Sequence, residues 1–492
     1  MQHQETLPVG PLASLGQFEP YGVGRIPEAE RTGTPWRFAR LFLGASFAPG
    51  SILWGWLPIT LGLGVRDAVT SIVVGTLVGL LPIAPLVLIG THTATNNATS
   101  SGAFFGVRGR LIGSGLGLAL MLVTAALAIW TAGGILVAVA ARLVGTPSGN
   151  GALAAAYLVL TALSVAIAVW GYQLLLRVTT VLAVAGIGFG LLLVVAFWND
   201  LNLGYGGGQY ALESFWTTWL LSAAAYGVGG VMLVASGVGD WSRYIPARRY
   251  PARRLLPVAL GAIAFGFIIP PAIGAVVTSA FADPYAPWPQ SAVMAAPGWC
   301  LVLLFLMASL GSLGFLAPTI YSTGLDLDAI VARLSRARAT AIMGVVSLGL
   351  VLAGPLVWDA EETLTAATLL LLALTAPWAA VIGVGHLRCR GRYLPDDLQI
   401  WNHRQTGGRY WYFNGWNLRA VLAWATGAAF GLATVTTPVF TAPLAGIANG
   451  IDVSFLGSSA IAAILALMLD RPQPAPCQDT GAAAVPATEG RR

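Results

Sequence analysis

The chain has 492 residues, of which 56% are hydrophobic and only 9% are charged. Soluble domains carry about 25% charged residues, so this composition excludes an ordinary soluble enzyme. The formal net charge of +6 comes from Arg alone, because the sequence contains no Lys. Three scattered cysteines, Cys300, Cys389 and Cys477, form no CxxC or Cys/His pattern. We therefore predict neither a disulfide nor a metal site.

Twelve apolar runs follow a polar N-terminal stretch, and a bilayer core requires roughly 20 apolar residues per helix. The runs lie at approximately 38–62, 68–90, 111–141, 152–171, 175–198, 215–238, 256–281, 298–323, 340–357, 363–386, 419–438 and 449–469. They predict an all-α polytopic membrane protein with twelve transmembrane helices, numbered here as spans one to twelve.

The spans divide the chain into six predicted parts. These are an N-terminal tail (1–37), five helices (38–198), five further helices (199–390), a loop (391–418), two last helices (419–470) and a C-terminal tail (471–492). The N-terminal tail has no apolar signal-peptide core, so span one is expected to be retained. The C-terminal tail is of low complexity, which predicts disorder.

The Arg residues predict the orientation of the chain. If the N-terminus is cytoplasmic, only Arg66 and Arg142 lie outside, and the remaining 24 of the 26 Arg residues lie inside. This distribution follows the positive-inside rule. It predicts a protein of the cytoplasmic membrane with both termini in the cytoplasm. It also accounts for the basic charge without nucleic acid, so the lipid bilayer is the expected partner and nucleic acid is not.

Two spans contain helix-breaking residues where a continuous helix is expected. Span one reads "GASFAPGSILWG", with Pro49-Gly50 at its centre, and span six contains Gly227, Gly229 and Gly230. A broken backbone in hydrocarbon leaves polar groups unsatisfied unless they are buried in protein or face water. Matching interruptions in two halves of a chain are typical of a transporter binding site at the bilayer midplane.

Catalytic signatures are missing from the sequence. It has no HExxH, GxSxG or P-loop motif, and its four histidines lie in tails, loops or at a span end. We interpret Asp326 and Asp328 as charges that cap a helix end, and Asp240 as an anchor of the adjoining loop. No catalytic residue is assigned, and the protein is not predicted to be an enzyme.

Several stretches resemble signature segments of the nucleobase–cation symporter family, which holds the purine/cytosine, hydantoin and allantoin permeases. They include "ASFAPGSILWGWLPITLGLGVRDAV", "SSGAFFGVRGRLIGSGLG", "GDWSRYIP", "IYSTGLDLDAI" and "YWYFNGWNLRAVLAW". The resemblance covers nearly the whole chain in order, and the purine–cytosine branch is nearest. It implies two inverted five-helix repeats, with broken helices one and six, plus two C-terminal helices. It further implies symport of a planar nitrogen heterocycle with Na⁺ or H⁺.

The resemblance and the two breaks together indicate candidate substrate residues. They are Ser46, Phe47, Gly50 and Ser51 on span one, Trp130 on span three, Tyr226, Gly227 and Gly230 on span six, and Thr319 on span eight. Phe47, Trp130 and Tyr226 would stack on the substrate. Where the family often carries asparagines, span one has Ser46 and Ala48, and span eight lacks them. The predicted pocket is therefore more apolar than the family pattern.

Sodium-coupled relatives carry two adjacent hydroxyl residues on span eight, and the aligned pair here is Gly314-Phe315. Ala45, Ala48 and Ser312 are the remaining candidates for cation binding. Na⁺ needs several oxygen ligands, so their loss favours H⁺, although both ions stay open. No cofactor beyond the coupling ion is expected.

The predicted function is import of a nucleobase-like heterocycle, such as cytosine or a purine, by alternating access. The alternatives are an amino-acid or amine transporter of the same fold, or a transport-inactive membrane sensor. The sequence leaves the oligomeric state open.

Overall fold

The computed structural model describes residues 21–331, 334–357, 360–437 and 439–469. The predicted disorder of the C-terminal tail concerns residues outside this part. The α-helices are α1 Pro35–Ser46, α2 Pro49–Leu53, α3 Trp56–Thr60, α4 Val65–Thr93, α5 Asn97–Phe105, α6 Arg110–Val144, α7 Asn150–Trp170, α8 Tyr172–Ala196, α9 Phe215–Ser222, α10 Gly229–Met232, α11 Val238–Ser242, α12 Ala252–Thr278, α13 Trp288–Ala295, α14 Gly298–Leu306, α15 Ser312–Ile330, α16 Arg336–Val357, α17 Ala360–Cys389, α18 Pro395–Leu398, α19 Leu418–Thr434 and α20 Ser454–Leu469.

The described residues form a polytopic bundle of apolar helices. Eight of these helices are long and apolar enough to cross a membrane, with α14 and α15 joined as one segment, Gly298–Ile330. A ninth candidate is the pair formed by Pro35–Ser46 and Pro49–Thr60, which bends by 75°. Two shorter apolar helices, α19 and α20, follow near the C-terminal end. The helical and membrane-spanning character predicted from composition is confirmed.

Span one breaks where its sequence contains the proline. Helix α1 ends at Ser46, Ala48 is extended (φ −71°, ψ 153°), and α2 begins at Pro49. Proline lacks an N–H and is pre-set for the first helical position, where that donor has no partner in any case. The predicted break is therefore present, and its non-helical residues are Phe47 and Ala48 rather than the Pro49-Gly50 pair.

Span six departs from a regular helix at two places, and of the three predicted glycines only Gly227 lies in one of them. After α9 the chain forms a wider π-helical turn over Ala223–Val228, which contains Gly227. Gly229 and Gly230 lie in the regular helix α10. The helix is interrupted by turns over residues 233–237, before α11. Glycine lowers helix stability by only about 1 kcal/mol, so its presence alone does not break a helix that is packed on both sides.

Glycines allow the backbones of neighbouring helices to touch. A Cβ atom added at Gly44 of α1 would lie 2.1 Å from the Thr179 carbonyl oxygen on α8. One added at Gly227 would lie 2.5 Å from Gly75 Cα on α4. Small residues at such crossings are the usual basis of helix packing in membranes. The π-helical turn of span six is therefore held directly against α4.

Two structured elements lie in regions that the sequence analysis treated as a tail or a loop. Helix α5 connects α4 and α6, and all nine of its residues are buried. The stretch from residue 21 to 34, here called the N-terminal segment, also packs on the bundle. Its Ile26 is fully buried, and the Ile26 N–H donates to the Ala94 carbonyl at 3.0 Å.

Arg31 fixes the N-terminal segment to the end of the bundle where most Arg residues lie, here called the Arg-rich face. Its guanidinium donates to the carbonyls of Thr91, Arg243 and Ile245, and it pairs with Glu28 at 2.7 Å. Burial lowers the pKa of Arg31, and the Glu28 carboxylate opposes that shift. Backbone carbonyls thus compensate the buried charge on this face.

The Gly44 contact gives a test of the packing. Gly44→Ala should destabilise the protein by about 1–3 kcal/mol, because the new methyl overlaps the backbone of α8. Gly188→Ala is the matched control, since nothing lies within 4 Å of its added Cβ. The control should be neutral, or more stable by about 0.5–1 kcal/mol because alanine favours the helix. Thermal unfolding in detergent measures both, and equal midpoints would contradict the close crossing.

Candidate functional site

The break in span one is enclosed by several helices. Helix α2, directly after the break, packs against α6 and α12, while α1 packs against α8, α12 and α15. A Cβ added at Gly50, on the first turn of α2, meets no atom within 4 Å. The side of α2 that carries Gly50 is therefore not packed against another helix. Irregular backbone is tolerated at membrane depth where other helices surround it or where it lines a cavity.

The N-terminal end of α2 is the part of the break that can attract electronegative groups. The first N–H groups of a helix have no partner within it and carry a partial positive charge. Here one of them is satisfied locally, because the Ser51 N–H donates to the Ala48 carbonyl at 3.0 Å. Ser51, at the third position of α2, is partly exposed. The predicted roles of Gly50 and Ser51 stay predictions that this geometry permits.

An aromatic contact joins the two interrupted spans. The Trp54 ring, after α2, and the Tyr226 ring, in the π-helical turn, lie edge to face with centroids 5.7 Å apart. Both side chains are partly exposed. Tyr226 is one of the residues predicted from the sequence, whereas Trp54 is not. The available signal was that Trp54 lies five residues after Pro49, inside a span rather than at the end where an interfacial anchor is expected.

Two other predicted stacking rings pack elsewhere. Phe47 is buried against α8, where Cβ atoms added at Gly186 and Gly190 would lie 2.6 Å and 3.1 Å from its side chain. Trp130 of α6 packs on an apolar cluster that contains Leu316 of α15. The structure thus gives Tyr226 an aromatic partner from the break, while Phe47 and Trp130 contact neighbouring helices. Their role in stacking remains a prediction.

The predicted hydroxyl groups are already donors within their own helices. Ser46 Oγ donates to the Phe42 carbonyl at 2.8 Å, and Thr319 Oγ1 donates to the Phe315 carbonyl at 2.7 Å. Each hydroxyl can still accept a hydrogen bond. Ser46 also lies against α12, because a Cβ added at Gly266 would be 2.2 Å from its Oγ. A ligand at these groups would therefore meet acceptors rather than free donors.

The predicted glycines face three different neighbours. Gly227 contacts Gly75 of α4, whereas a Cβ added at Gly230 would be 3.7 Å from the Phe267 ring of α12. One added at Gly229 would be 3.3 Å from the ring of Phe455. Gly227 is thus a helix-packing position, and Gly230 has more room beside it.

Span eight approaches the break through glycines. A Cβ added at Gly311 would lie 2.6 Å from the Phe47 carbonyl oxygen, and one at Gly314 would lie 2.2 Å from that of Gly44. Ser312 follows Gly311 and is buried, as are Ala45 and Ala48. The three residues predicted for cation binding therefore lie in one region. At Gly314, however, any side chain would overlap the Gly44 carbonyl of span one, so a hydroxyl group does not fit there.

Two carboxyl groups are buried deeper than the sequence analysis expected. Asp240 of α11 is 1% exposed, and Asp326 of α15 is 2% exposed. The interpretation of Asp326 as a helix cap and of Asp240 as an anchor of the adjoining loop is wrong, because both lie in the interior. One signal was present in the sequence, a lone Asp within the glycine-rich end of span six, but the other buried acid lies 86 positions away in the chain.

Comparison with known proteins relates the chain to one family. The family model described as a permease for cytosine/purines, uracil, thiamine and allantoin matches residues 25–456. A comparison with curated protein sequences gives no significant match.

Solved structures show the same architecture. Mhp1, a nucleobase–cation symport family transporter in a closed conformation with bromovinylhydantoin bound, superposes with a TM-score of 0.71 at 18% identity, over 92% of this chain and 94% of that one. The inward-facing conformation of Mhp1 gives 0.67 at 18% identity, over 94% of each chain. A Na⁺-coupled sialic acid symporter in an outward-open state gives 0.58 at 12% identity, over 92% and 93%. At these identities the likeness establishes the fold.

Thiol labelling tests whether the break lines an accessible space. In a background with Cys300, Cys389 and Cys477 replaced by Ala, Gly50→Cys should react with a small water-soluble thiol reagent. Ser46→Cys should react at least about tenfold more slowly than Gly50→Cys. Its side chain is packed against Gly266, and thiol reactivity follows exposure. Mass spectrometry of the labelled protein over time gives both rates. If Gly50→Cys reacts as slowly as Ser46→Cys, the break is packed on all sides.

Proposed function

Because this chain belongs to the family of permeases for cytosine/purines, uracil, thiamine and allantoin, we propose that it is a secondary active symporter. It imports a nucleobase-like heterocycle, such as cytosine or a purine, together with a cation, by alternating access. Membership in a permease family makes the protein a transporter rather than an enzyme. The observation that carries the proposal is the broken span one: α6, α8, α12 and α15 pack around it, and no atom lies within 4 Å of a Cβ added at Gly50.

The proposed architecture has twelve spans, with α1 to α3 as span one and α9 to α11 as span six. The eight long helices and the shorter α19 and α20 supply the remainder. Two inverted repeats of five helices would then begin at the two interrupted spans. We propose that the Arg-rich face is cytoplasmic in the plasma membrane, in agreement with the positive-inside rule.

A planar heterocycle suits the aromatic contact at the break. Aromatic rings prefer offset or edge-to-face partners, and each such pair contributes about 0.5–1.5 kcal/mol beyond burial. A flat ligand beside Gly50 could contact Tyr226 and Trp54 while its polar edge meets the N-terminal end of α2. In Mhp1 the bound compound is a hydantoin derivative, also a nitrogen heterocycle. We therefore favour this substrate class over amino acids or amines.

Alternating access requires that the contacts on the Arg-rich face break and re-form. The N-terminal segment contributes several of them: the Gly22 carbonyl accepts from Arg243 at 2.6 Å, and the Val23 N–H donates to Asp328 at 3.2 Å. Related folds are known in closed, inward-facing and outward-open states. We propose that release of the N-terminal segment accompanies opening toward the cytoplasm.

We propose H⁺ as the coupling ion. A Na⁺ site between spans one and eight would need side-chain oxygens on span eight in addition to backbone carbonyls, since Na⁺ binds several oxygens. At the facing positions this chain has Gly311 and Gly314, which pack directly on the carbonyls of Phe47 and Gly44. Ser312 alone supplies a hydroxyl nearby. One oxygen of this kind is a weak basis for sodium selectivity.

Uptake into proteoliposomes tests the proposed function. Radiolabelled cytosine should accumulate saturably, and unlabelled purines, uracil, allantoin and hydantoins should compete according to how well they share its ring. Saturable binding without accumulation would support a membrane sensor instead. Competition by amino acids or amines, with none by heterocycles, would contradict the proposed substrate class.

Substitutions of the aromatic pair test the proposed contact. Trp54→Ala should raise the half-saturation concentration about 3- to 10-fold, as expected for loss of one aromatic contact. Tyr226→Phe should change it by less than about twofold, because the ring is kept. The matched control is Trp198→Ala, whose side chain is 67% exposed on the outer surface of the protein. An equal effect of Trp54→Ala and Trp198→Ala would remove Trp54 from the site.

A further inference from the structure

We propose, building on the symporter function above, that Asp240 and Asp326 share one exchangeable proton and form the binding site of the coupling proton. The two residues are called the carboxyl pair below. They lie on different helices, α11 and α15, in the half of the bundle that ends at the Arg-rich face. The segments that carry them are adjacent, because a Cβ added at Gly237, just before α11, would lie 3.5 Å from Ser322 Oγ on α15.

The carboxyl pair is enclosed by helix backbones. A Cβ added at Gly117 of α6 would lie 2.3 Å from Asp326 Oδ2 and 3.2 Å from Ser236 Cβ. On the other side, the Asn97 N–H at the start of α5 donates to Asp240 Oδ1 at 3.4 Å. The Asn97 amide also donates to the Ala235 carbonyl at 3.0 Å. Four helical elements thus converge on the two acids.

Within the described residues, neither member of the carboxyl pair forms an ion pair. The ion pairs found there are Arg25–Asp396 and Arg31–Glu28. Isolated buried carboxylates cost several kcal/mol each, and two like charges in one pocket disfavour each other further. One proton on the pair removes one of the two charges. Binding a proton is therefore the simplest way for this pocket to be stable.

Several buried polar atoms around Asp240 have no hydrogen-bond partner among the described residues. They are Asp240 Oδ2, Asn97 Oδ1, Ser236 Oγ and Ser322 Oγ. Asn97 is 1% exposed and Ser236 is 4% exposed. Ionised carboxylates and amide oxygens only accept hydrogen bonds, whereas each serine hydroxyl can donate one. A proton on either carboxyl converts one acceptor into a donor.

The neighbouring charges are arranged around the pair rather than on it. Arg243 acts electrostatically on Asp240, but its guanidinium donates to the Gly22 carbonyl and, at 2.8 Å, to the Tyr321 hydroxyl. Asp328, two residues after Asp326, accepts from the Val23 N–H of the N-terminal segment at 3.2 Å.

The titratable group at this end of α4 is directed elsewhere. His92 contacts His386, with ring centroids 6.0 Å apart, and Tyr393 at 6.3 Å. Arg243 is therefore the cation whose electrostatic effect on the carboxyl pair changes most directly when its own hydrogen-bond partners change.

This arrangement links proton release to opening of the Arg-rich face. While the N-terminal segment is docked, the Gly22 carbonyl holds Arg243 and the carboxyl pair stays dry. When the segment leaves, the hydrogen bond between Arg243 and the Gly22 carbonyl breaks and water enters. Both changes favour the ionised form of the pair. The O–H bond of the protonated carboxyl then breaks, and its proton leaves to water on that side. The pair must bind a new proton from the opposite side before the cycle repeats, so one proton moves per cycle.

Infrared spectroscopy tests the proton site without any substrate. Purified wild-type protein should show the carbonyl stretch of a buried protonated carboxyl, which disappears in difference spectra across an alkaline pH step. Asp240→Asn and Asp326→Asn should each remove or shift this band, because the proton is shared. Asp328→Asn is the matched control on the same helix and should keep it. A band unchanged in both pair variants would overturn the proposal.

Transport measurements test the coupling. In proteoliposomes with a trapped pH indicator, Asp326→Asn should lose about tenfold or more of cytosine-linked proton uptake and of gradient-driven accumulation. Cytosine exchange at equal concentrations should stay within about twofold, because exchange needs no net proton movement. Full accumulation by this variant would overturn the proposal. Accumulation by wild type that follows a Na⁺ gradient, without proton uptake, would also overturn it and leave the symporter function standing.

The proposed substrate and the proposed proton site can be contradicted independently of each other. A wild-type protein that does not transport cytosine contradicts the proposed substrate, while the infrared measurement still decides whether the pair holds a proton. If Asp326→Asn is not monodisperse in detergent, Asp240→Asn decides by the same two readouts.

Discussion

The structure depends on the requirement that a backbone in hydrocarbon satisfies its own polar groups. A continuous helix meets this requirement without help, and an interrupted one needs neighbours or water. The chain accepts two interruptions, at Phe47-Ala48 in span one and over residues 233–237 in span six. Both are surrounded by other helices, so the exposed peptide groups lie inside the protein. The proposed substrate site lies beside the first of these interruptions.

Glycine contacts determine which groups those are. Gly44, Gly311 and Gly314 bring spans one, five and eight together at backbone distance. Such contacts fix the position of the break, and at Gly311 and Gly314 they leave no room for a side chain that could offer an oxygen to an ion. A Na⁺ site at this place would therefore be poor in oxygens. For this reason we propose H⁺ as the coupling ion and the buried carboxyl pair as its site.

The contacts of the N-terminal segment connect these features. Its Gly22 and Val23 backbone groups bind Arg243 and Asp328, and its Arg31 binds three carbonyls, one on α4 and two directly after α11. The charges on this face are thus paired with backbone more than with one another. Backbone partners can be exchanged for water at low cost when the segment moves, because hydrogen bonds to water replace them. An arrangement of this kind suits a face that opens and closes.

The sequence alone determined the class of the molecule. Apolar runs of membrane length, a one-sided Arg distribution and a Pro-Gly pair within span one are local properties, and local chemistry decides them. The family resemblance followed from short ordered segments and agrees with the family match. The position of the break was predicted to within about two residues, because proline has a fixed place at a helix start.

Tertiary packing decided the rest. Gly227 is a packing residue because Gly75 lies opposite it, and no pattern in span six reveals a neighbour in span two. Trp54 belongs to the candidate site because Tyr226 reaches it from 172 residues further along the chain. Asp240 and Asp326 each read as an interfacial charge when taken singly, and only the fold shows that both are buried. Charge burial and close contact depend on which distant segments meet, and that is set by the packing of the whole bundle.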